Sequence, residues 1–143
     1  MIRTDNDEEI AMARISDRRR VASVVLRGLL TAVFLVAAGM KFAAVPFEAA
    51  GFARFGYPLW FMYVVGALQL LGAVLLWARG CVALGAGLLA VLMIGAVGSH
   101  LLAGDPILMP LPAFVLLILL SGIAYARRAE LLPSSTETEV QRV

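Results

Sequence analysis

Long apolar runs separated by short polar breaks dominate the chain. Residues 1–20 are polar, with Asp5, Asp7, Glu8, Glu9 and Asp17 set against Arg3, Arg14, Arg18, Arg19 and Arg20. From Val21 the pattern changes. Mostly apolar stretches cover 21–44, 58–77, 81–102 and 106–126, and a polar end returns over 129–143. About twenty residues at ~1.5 Å rise span the ~30 Å hydrocarbon core of a bilayer. The pattern therefore predicts an all-α integral membrane four-helix bundle (21–128) between an N-terminal tail (1–20) and a C-terminal tail (129–143). Of the N-terminal tail, the first dozen residues are expected to be mobile, because they carry too little apolar surface to offset the entropy of ordering.

The breaks follow local rules. Pro58 fits the first turn of the second span, where no backbone donor is lost. Ala78-Arg79-Gly80 reads as a tight turn. At Gly104-Asp105-Pro106, glycine suits a left-handed C-cap, aspartate a cap for the next helix, and proline its first position. Pro110 and Pro112 leave two starts open for the fourth span, one at Pro106 with a kink and one near Leu111. The later start leaves a helix of ~24 Å, short for a full crossing.

The break after the first span is aromatic, with Phe47, Phe52, Phe55 and Tyr57. Such rings favour a membrane interface. Phe52 and Phe55 would share one face of a short interfacial helix, either as a belt anchor or as a lid over an outward cavity. In the second span Gly66, Gln69 and Ala73 share a stripe. Gln69 is expected either to hydrogen-bond a neighbouring helix or to line a pocket. Gly85, Gly87, Gly95 and Gly98 predict that the third span is central, with Met93, Ala96 and His100 on one face.

Composition strengthens this picture. The 143 residues are 62% hydrophobic, with mean hydropathy +0.91, against about 45–50% in soluble domains. The formal net charge is +2, but the basic residues cluster at the ends of the spans. Five precede Val21, Arg79 lies in the tight turn and three follow Ala126, which makes nine of the twelve. The positive-inside rule then places both termini in the cytoplasm. That distribution excludes nucleic acid as the partner. The first twenty residues lack the short basic segment of a cleavable signal, so the first apolar run is expected to act as a signal anchor.

Cys81 is the only cysteine and His100 the only histidine. No intrachain disulfide or thiolate metal cluster can form, no metal site is expected, and a haem on His100 would lack a second histidine ligand. Chemistry, if present, falls to a few ionisable groups in the apolar runs. Lys41, His100 and Asp105 are expected at similar depth near the outer face, and intramembrane ionisable groups are functional candidates by default. Asp105 would hold the His100 tautomer for proton transfer, and Lys41 would stabilise developing negative charge. Gln69, Tyr57, Arg27 and Ser99 are the candidate pocket-lining residues. Serine catalysis is disfavoured, because Ser99 and His100 are adjacent and diverge by ~100° on a helix. Against this stands a structural reading in which Lys41 pairs with Asp105 to tie the first span to the third–fourth corner. Arg27 in turn would snorkel to the cytoplasmic surface.

Four blocks, Ala38-Gly39-Met40-Lys41-Phe42, Gly56-Tyr57-Pro58-Leu59-Trp60-Phe61, Gly66-Ala67-Leu68-Gln69-Leu70-Leu71-Gly72-Ala73 and Gly95 through Pro106, resemble in order the DoxX-like family over roughly 21–128. The resemblance implies a multi-pass protein of the bacterial inner membrane. The family takes its name from a subunit of a thiosulfate:quinone oxidoreductase, so it implies a membrane subunit or anchor in quinone-linked redox metabolism; the cofactor itself stays unknown, with quinone one candidate. Relatives often carry a glutamate where this chain has Gln69, which argues against a proton relay at that position. The expected partners are the lipid bilayer, a soluble or membrane redox enzyme, or further copies of the chain. The alternative function is a stand-alone membrane enzyme or carrier for a small hydrophobic compound, acting at an outward Lys41/His100/Asp105 site.

Overall fold

The computed structural model describes residues 2–132, with side chains from Glu8 onward. Five α-helices account for most of this length: α1 (Ile2–Phe42), α2 (Pro46–Arg54), α3 (Leu59–Leu75), α4 (Val82–Leu102) and α5 (Leu111–Ala126). A short 3₁₀ turn over Arg128–Leu131 follows. Among the described residues there is no strand. The chain is all-helical, as its apolar runs predict.

Four of the helices pack in chain order, α1 on α3, α3 on α4 and α4 on α5. Short connections make sequential helices antiparallel neighbours. One end of the bundle therefore gathers the α1 C-terminus, the α3 N-terminus and the α4–α5 corner. Helix α2 lies at this end, bent by 113° from α3.

The outer faces are apolar. Val25, Leu29 and Val36 on α1, Leu84, Val91 and Ile94 on α4, and Val115 and Ile118 on α5 are all exposed. An exposed apolar band around a bundle is a surface made for lipid. Residues Glu8–Phe42 of α1 and the whole of α4 are long and apolar enough to cross a membrane, and α2 with α3 qualifies as one bent span. Helix α5 has 16 residues, which is ~24 Å.

The core sits toward the end opposite α2. Leu30 and Phe34 of α1, Ala73 and Leu76 of α3, Leu89 and Met93 of α4 and Leu120 of α5 belong to one buried cluster. Close approach depends on three glycines, and a Cβ on Gly72 would lie 2.5 Å from Leu89 Cγ. A Cβ on Gly85 would lie 2.9 Å from the Gly72 carbonyl oxygen and 2.8 Å from Leu75 Cβ. The α3–α4 contact is thus backbone against backbone. At the α1–α3 contact a Cβ on Gly66 would lie 3.2 Å from Lys41 Cβ. Gly87, Gly95 and Gly98 meet nothing within 4 Å, so α4 is central through Gly85 rather than through all four glycines.

The core end is tied by a cap from far along the chain. Glu130 Oε2 accepts the Ala83 N–H at 3.2 Å, in the first turn of α4, and its Oε1 accepts from Arg127 at 3.0 Å. A carboxylate satisfies an orphan donor there and meets the positive end of the helix dipole.

Three local features differ from the sequence reading. The polar N-terminal segment is helical from Ile2 and continuous with the first span, with residues 8–20 exposed. The fourth span takes the later of its two starts, at Leu111, after turns over 107–110. Asp105 therefore lies too far from α5 to cap it, and Pro106 is not its first residue. Most of the expected C-terminal tail, residues 133–143, lies outside the described residues.

Candidate functional site

The site is built by three helix ends that close in the same way. Ala44, Gly56 and Gly104 adopt left-handed φ values of 47°, 79° and 70°. At each, two backbone bonds fold the chain back. Ala44 N–H donates to Lys41 O and Val45 N–H to Met40 O; Gly56 N–H donates to Ala53 O and Tyr57 N–H to Phe52 O; Gly104 N–H donates to Leu101 O and Asp105 N–H to His100 O. These are Schellman caps. The third explains the central contact of the site. Once the Asp105 N–H reaches the His100 carbonyl, the Asp105 side chain lies beside the imidazole.

Asp105 Oδ2 lies 2.6 Å from His100 Nδ1 and 2.6 Å from an Arg54 guanidinium nitrogen. The His100 hydrogen bond and the Arg54 charge hold the Asp105 carboxyl below its ordinary value, against the opposing effect of burial. A carboxylate accepting from Nδ1–H fixes that tautomer and leaves Nε2 its lone pair. Phe55 meets the imidazole edge-on, with ring centroids 5.0 Å apart.

Lys41 takes a different partner from the one expected. Its Nζ lies 2.9 Å from Glu48 Oε2, with both side chains largely buried, and sits 5.8 Å from the Phe52 ring centroid. Helix α2 lies between the first span and the α4–α5 corner, so its two charges meet the two sides separately. Glu48 neutralises Lys41, and Arg54 neutralises Asp105. The expected Lys41–Asp105 pair is not formed.

Beneath α2 lies a cavity of about 700 Å³, within the ~300–1,000 Å³ usual for small-molecule sites. Each helix lines it with one face: Phe34, Ala37 and Lys41 from α1; Phe61, Val65 and Gln69 from α3; Met93, Ala96 and His100 from α4; Ala113 and Leu116 from α5. The intervals of three and four residues are those of a single helical stripe. Phe52, Phe55 and Tyr57 form the roof. Their rings cluster with Phe61, the Tyr57 and Phe61 centroids being 5.0 Å apart. Charge is confined to the α2 end, and the walls below are apolar except for Gln69.

Gln69 is 4% exposed, and its Oε1 is buried without a hydrogen-bond partner. The interhelical bond open to it in the sequence reading is not made through that atom. Ser99 Oγ hydrogen-bonds Tyr57 Oη at 2.9 Å and donates to Gly95 O at 2.8 Å. Its partners are therefore Tyr57 and the helix backbone, while His100 turns to Asp105. Arg27 lies outside the cavity, at the core end. It donates to Ser23 O and Leu76 O, both at 3.3 Å, and lies over the Trp77 ring, 5.6 Å from its centroid.

The structure thus brings Lys41, Gln69, Tyr57, Ser99 and His100 to one cavity, places Asp105 behind His100, and leaves Arg27 apart. Sequence reasoning passed over Glu48 and Arg54, which it read only as part of an aromatic break. Charge balance could have found them. Lys41 and Asp105 each need a buried counter-charge, and the short segment between the first two spans offers one residue of each sign.

The DoxX-like family model matches residues 25–122. The chain is 39% identical over 94 residues to the uncharacterized protein YdgD of Bacillus subtilis (strain 168), covering 61% of this chain and 82% of that protein. No solved structure matches. The family match takes in α3, α4, most of the apolar part of α1 and most of α5, together with every residue of the cavity, and the chain belongs to the DoxX-like family.

Proposed function

We propose that this protein is a multi-pass protein of the inner membrane, with both termini cytoplasmic, that binds a small apolar ring compound in the cavity under α2. The observation that carries this reading is the cavity itself. Four helices contribute one stripe each to an apolar space of ligand size, and polar groups are few and convergent. The positive-inside rule supports the orientation, because Arg79 and the arginine-bearing ends lie opposite α2. The site then faces outward.

In this reading α2 acts as a roof that excludes water, and its two ion pairs latch it to α1 and to the α4–α5 corner. The Asp105–His100 pair supplies a proton acceptor at Nε2. Lys41 supplies positive charge at the rim, and the aromatic cluster supplies stacking surface. The chain's own part is to hold the ring and keep water out.

A second reading rests on a separate observation. Helix α1 continues through residues 8–20, exposed on all sides and bearing Arg14, Arg18, Arg19 and Arg20. This helical stalk suits docking of a soluble redox enzyme in the cytoplasm. Deleting residues 2–17 should then abolish co-purification of that enzyme and leave ligand binding intact.

The test of the main reading uses Gly95, which lines the cavity and has nothing within 4 Å of an added Cβ. In nanodiscs, duroquinone and 4-hexylphenol should raise the unfolding temperature of the wild type. Gly95→Phe should place a ring in the cavity, fold normally and reduce both shifts. Absence of a shift with either compound, or equal shifts in Gly95→Phe, would refute a ligand site here.

A further inference from the structure

We infer that Gln69 reads a hydroxyl group on the ligand, and that the ligand sits head-down, with its hydroxyl at the deep end of the cavity and its hydrocarbon toward the roof. This inference rests on the cavity being a ligand site. Gln69 lies two helical turns below Phe61 on the lining stripe of α3, beyond the charged rim. Phe34, Ala37, Met93 and Ala96, which line the same cavity, are apolar. It is the polar side chain of that zone, and its Oε1 is buried without a partner.

A buried amide without a partner costs stability, so native structures rarely keep one without compensation. Two apolar helices in contact need no glutamine at this position. A leucine would pack at similar volume and remove the penalty. Oε1 as it stands has no accessible surface, so a ligand in the cavity completes it once the amide has turned over.

The chemistry of the amide narrows the ligand. Its two ends, a donor and an acceptor, interchange by a half-turn about the last side-chain bond. A hydroxyl is the smallest neutral group that answers either end, donating to Oε1 or accepting from Nε2. A charged head is disfavoured at this depth, because the zone offers no counter-ion and burial of an unpaired charge is costly. The ligand class is therefore a neutral, mostly apolar compound with one hydroxyl, such as a phenol.

The experiment compares 4-hexylphenol with 4-hexyltoluene, which places a methyl where the phenol has its hydroxyl. Binding to wild type and to Gln69→Leu is measured in nanodiscs by competition with a bound reporter phenol. The ratio of the two affinities is compared between proteins, so partition into lipid cancels. The expected result is a phenol preference about tenfold greater in the wild type than in Gln69→Leu, with 4-hexyltoluene binding both proteins alike. Ligand-free Gln69→Leu should unfold at a higher temperature than the wild type.

Equal ratios in the two proteins would overturn the role of Gln69 while leaving the cavity as a ligand site. Failure of both compounds to bind the wild type would overturn the cavity reading and this inference together. If Gln69→Leu fails to fold, Gln69→Met is used, with the same expected loss of preference. Unfolding of both variants would mean that Gln69 serves the fold, which also overturns the inference.

Discussion

Lys41 Nζ lies 2.9 Å from Glu48 Oε2, and the short segment between them carries the chain out of α1, through a left-handed cap and into α2. This contact fixes the roof helix to the bundle. It also resolves the cost of a lysine at the end of an apolar span, since both charges leave water together.

A double-mutant cycle checks that pair. Removing one member of a buried ion pair leaves an uncompensated charge and costs ~3–5 kcal/mol, whereas replacing both with apolar residues is often neutral. Lys41→Met and Glu48→Leu should each destabilise the protein by about 3 kcal/mol, and the double variant should recover most of that loss. Reversible unfolding in detergent reads all four proteins. Additive losses would mean that the pair contributes no coupling.

Ala44 carries the left-handed cap between α1 and α2 with φ 47°, a conformation that costs an L-residue ~1–2 kcal/mol and glycine very little. Ala44→Gly should therefore stabilise the protein by about 1 kcal/mol. The equivalent change in the opposite sense, Gly104→Ala, should destabilise it by a similar amount and loosen the His100–Asp105 contact. The imidazole resonances in an NMR spectrum would report the second effect.

Asp105 gives a signed pH dependence. Its carboxyl is held low in the folded protein, chiefly by the His100 hydrogen bond. The folded state therefore binds its proton less readily than the unfolded chain does. The resulting stabilisation is complete above the unfolded value near ~4 and is lost as pH falls through the lowered folded value. Asp105→Asn should flatten the stability profile in that acidic window. An unchanged slope below pH ~4 would contradict the pairing.

Gly85 and Gly98 lie on the same helix and should respond in opposite ways. A Cβ at Gly85 would strike backbone atoms of α3 at 2.9 Å, whereas one at Gly98 meets nothing within 4 Å. Gly85→Ala should force α3 and α4 apart at a cost of about 1–3 kcal/mol. Gly98→Ala should be neutral or gain up to ~1 kcal/mol from helix propensity. Thermal unfolding of the two variants separates these outcomes.

Much of this architecture is legible along the chain. The runs over 58–77 and 81–102 announce α3 and α4, and Gly104 announces the cap that ends α4. The shared face of Met93, Ala96 and His100 follows from helical spacing, and all three residues line the cavity. The pairing of charges was not legible. Lys41, Glu48, Arg54 and Asp105 permit two neutral arrangements, and their order in the chain does not choose between them. The start of α5 was equally open, because Pro110 and Pro112 are compatible with a kinked helix or with an irregular entry.

The sequence by itself determined a bundle of apolar helices with polar ends, because hydropathy and helical period are properties of neighbouring residues and need no partner. It also fixed the proximity of His100 and Asp105, since a glycine cap acts over five positions. Only the tertiary structure decided that α2 folds across the open end, that Lys41 turns to Glu48 rather than Asp105, and that Gln69 lines an apolar cavity. Those outcomes depend on which surfaces meet after the helices pack. Counter-ions and cavities are set by distances between segments far apart in the chain, which no local pattern encodes.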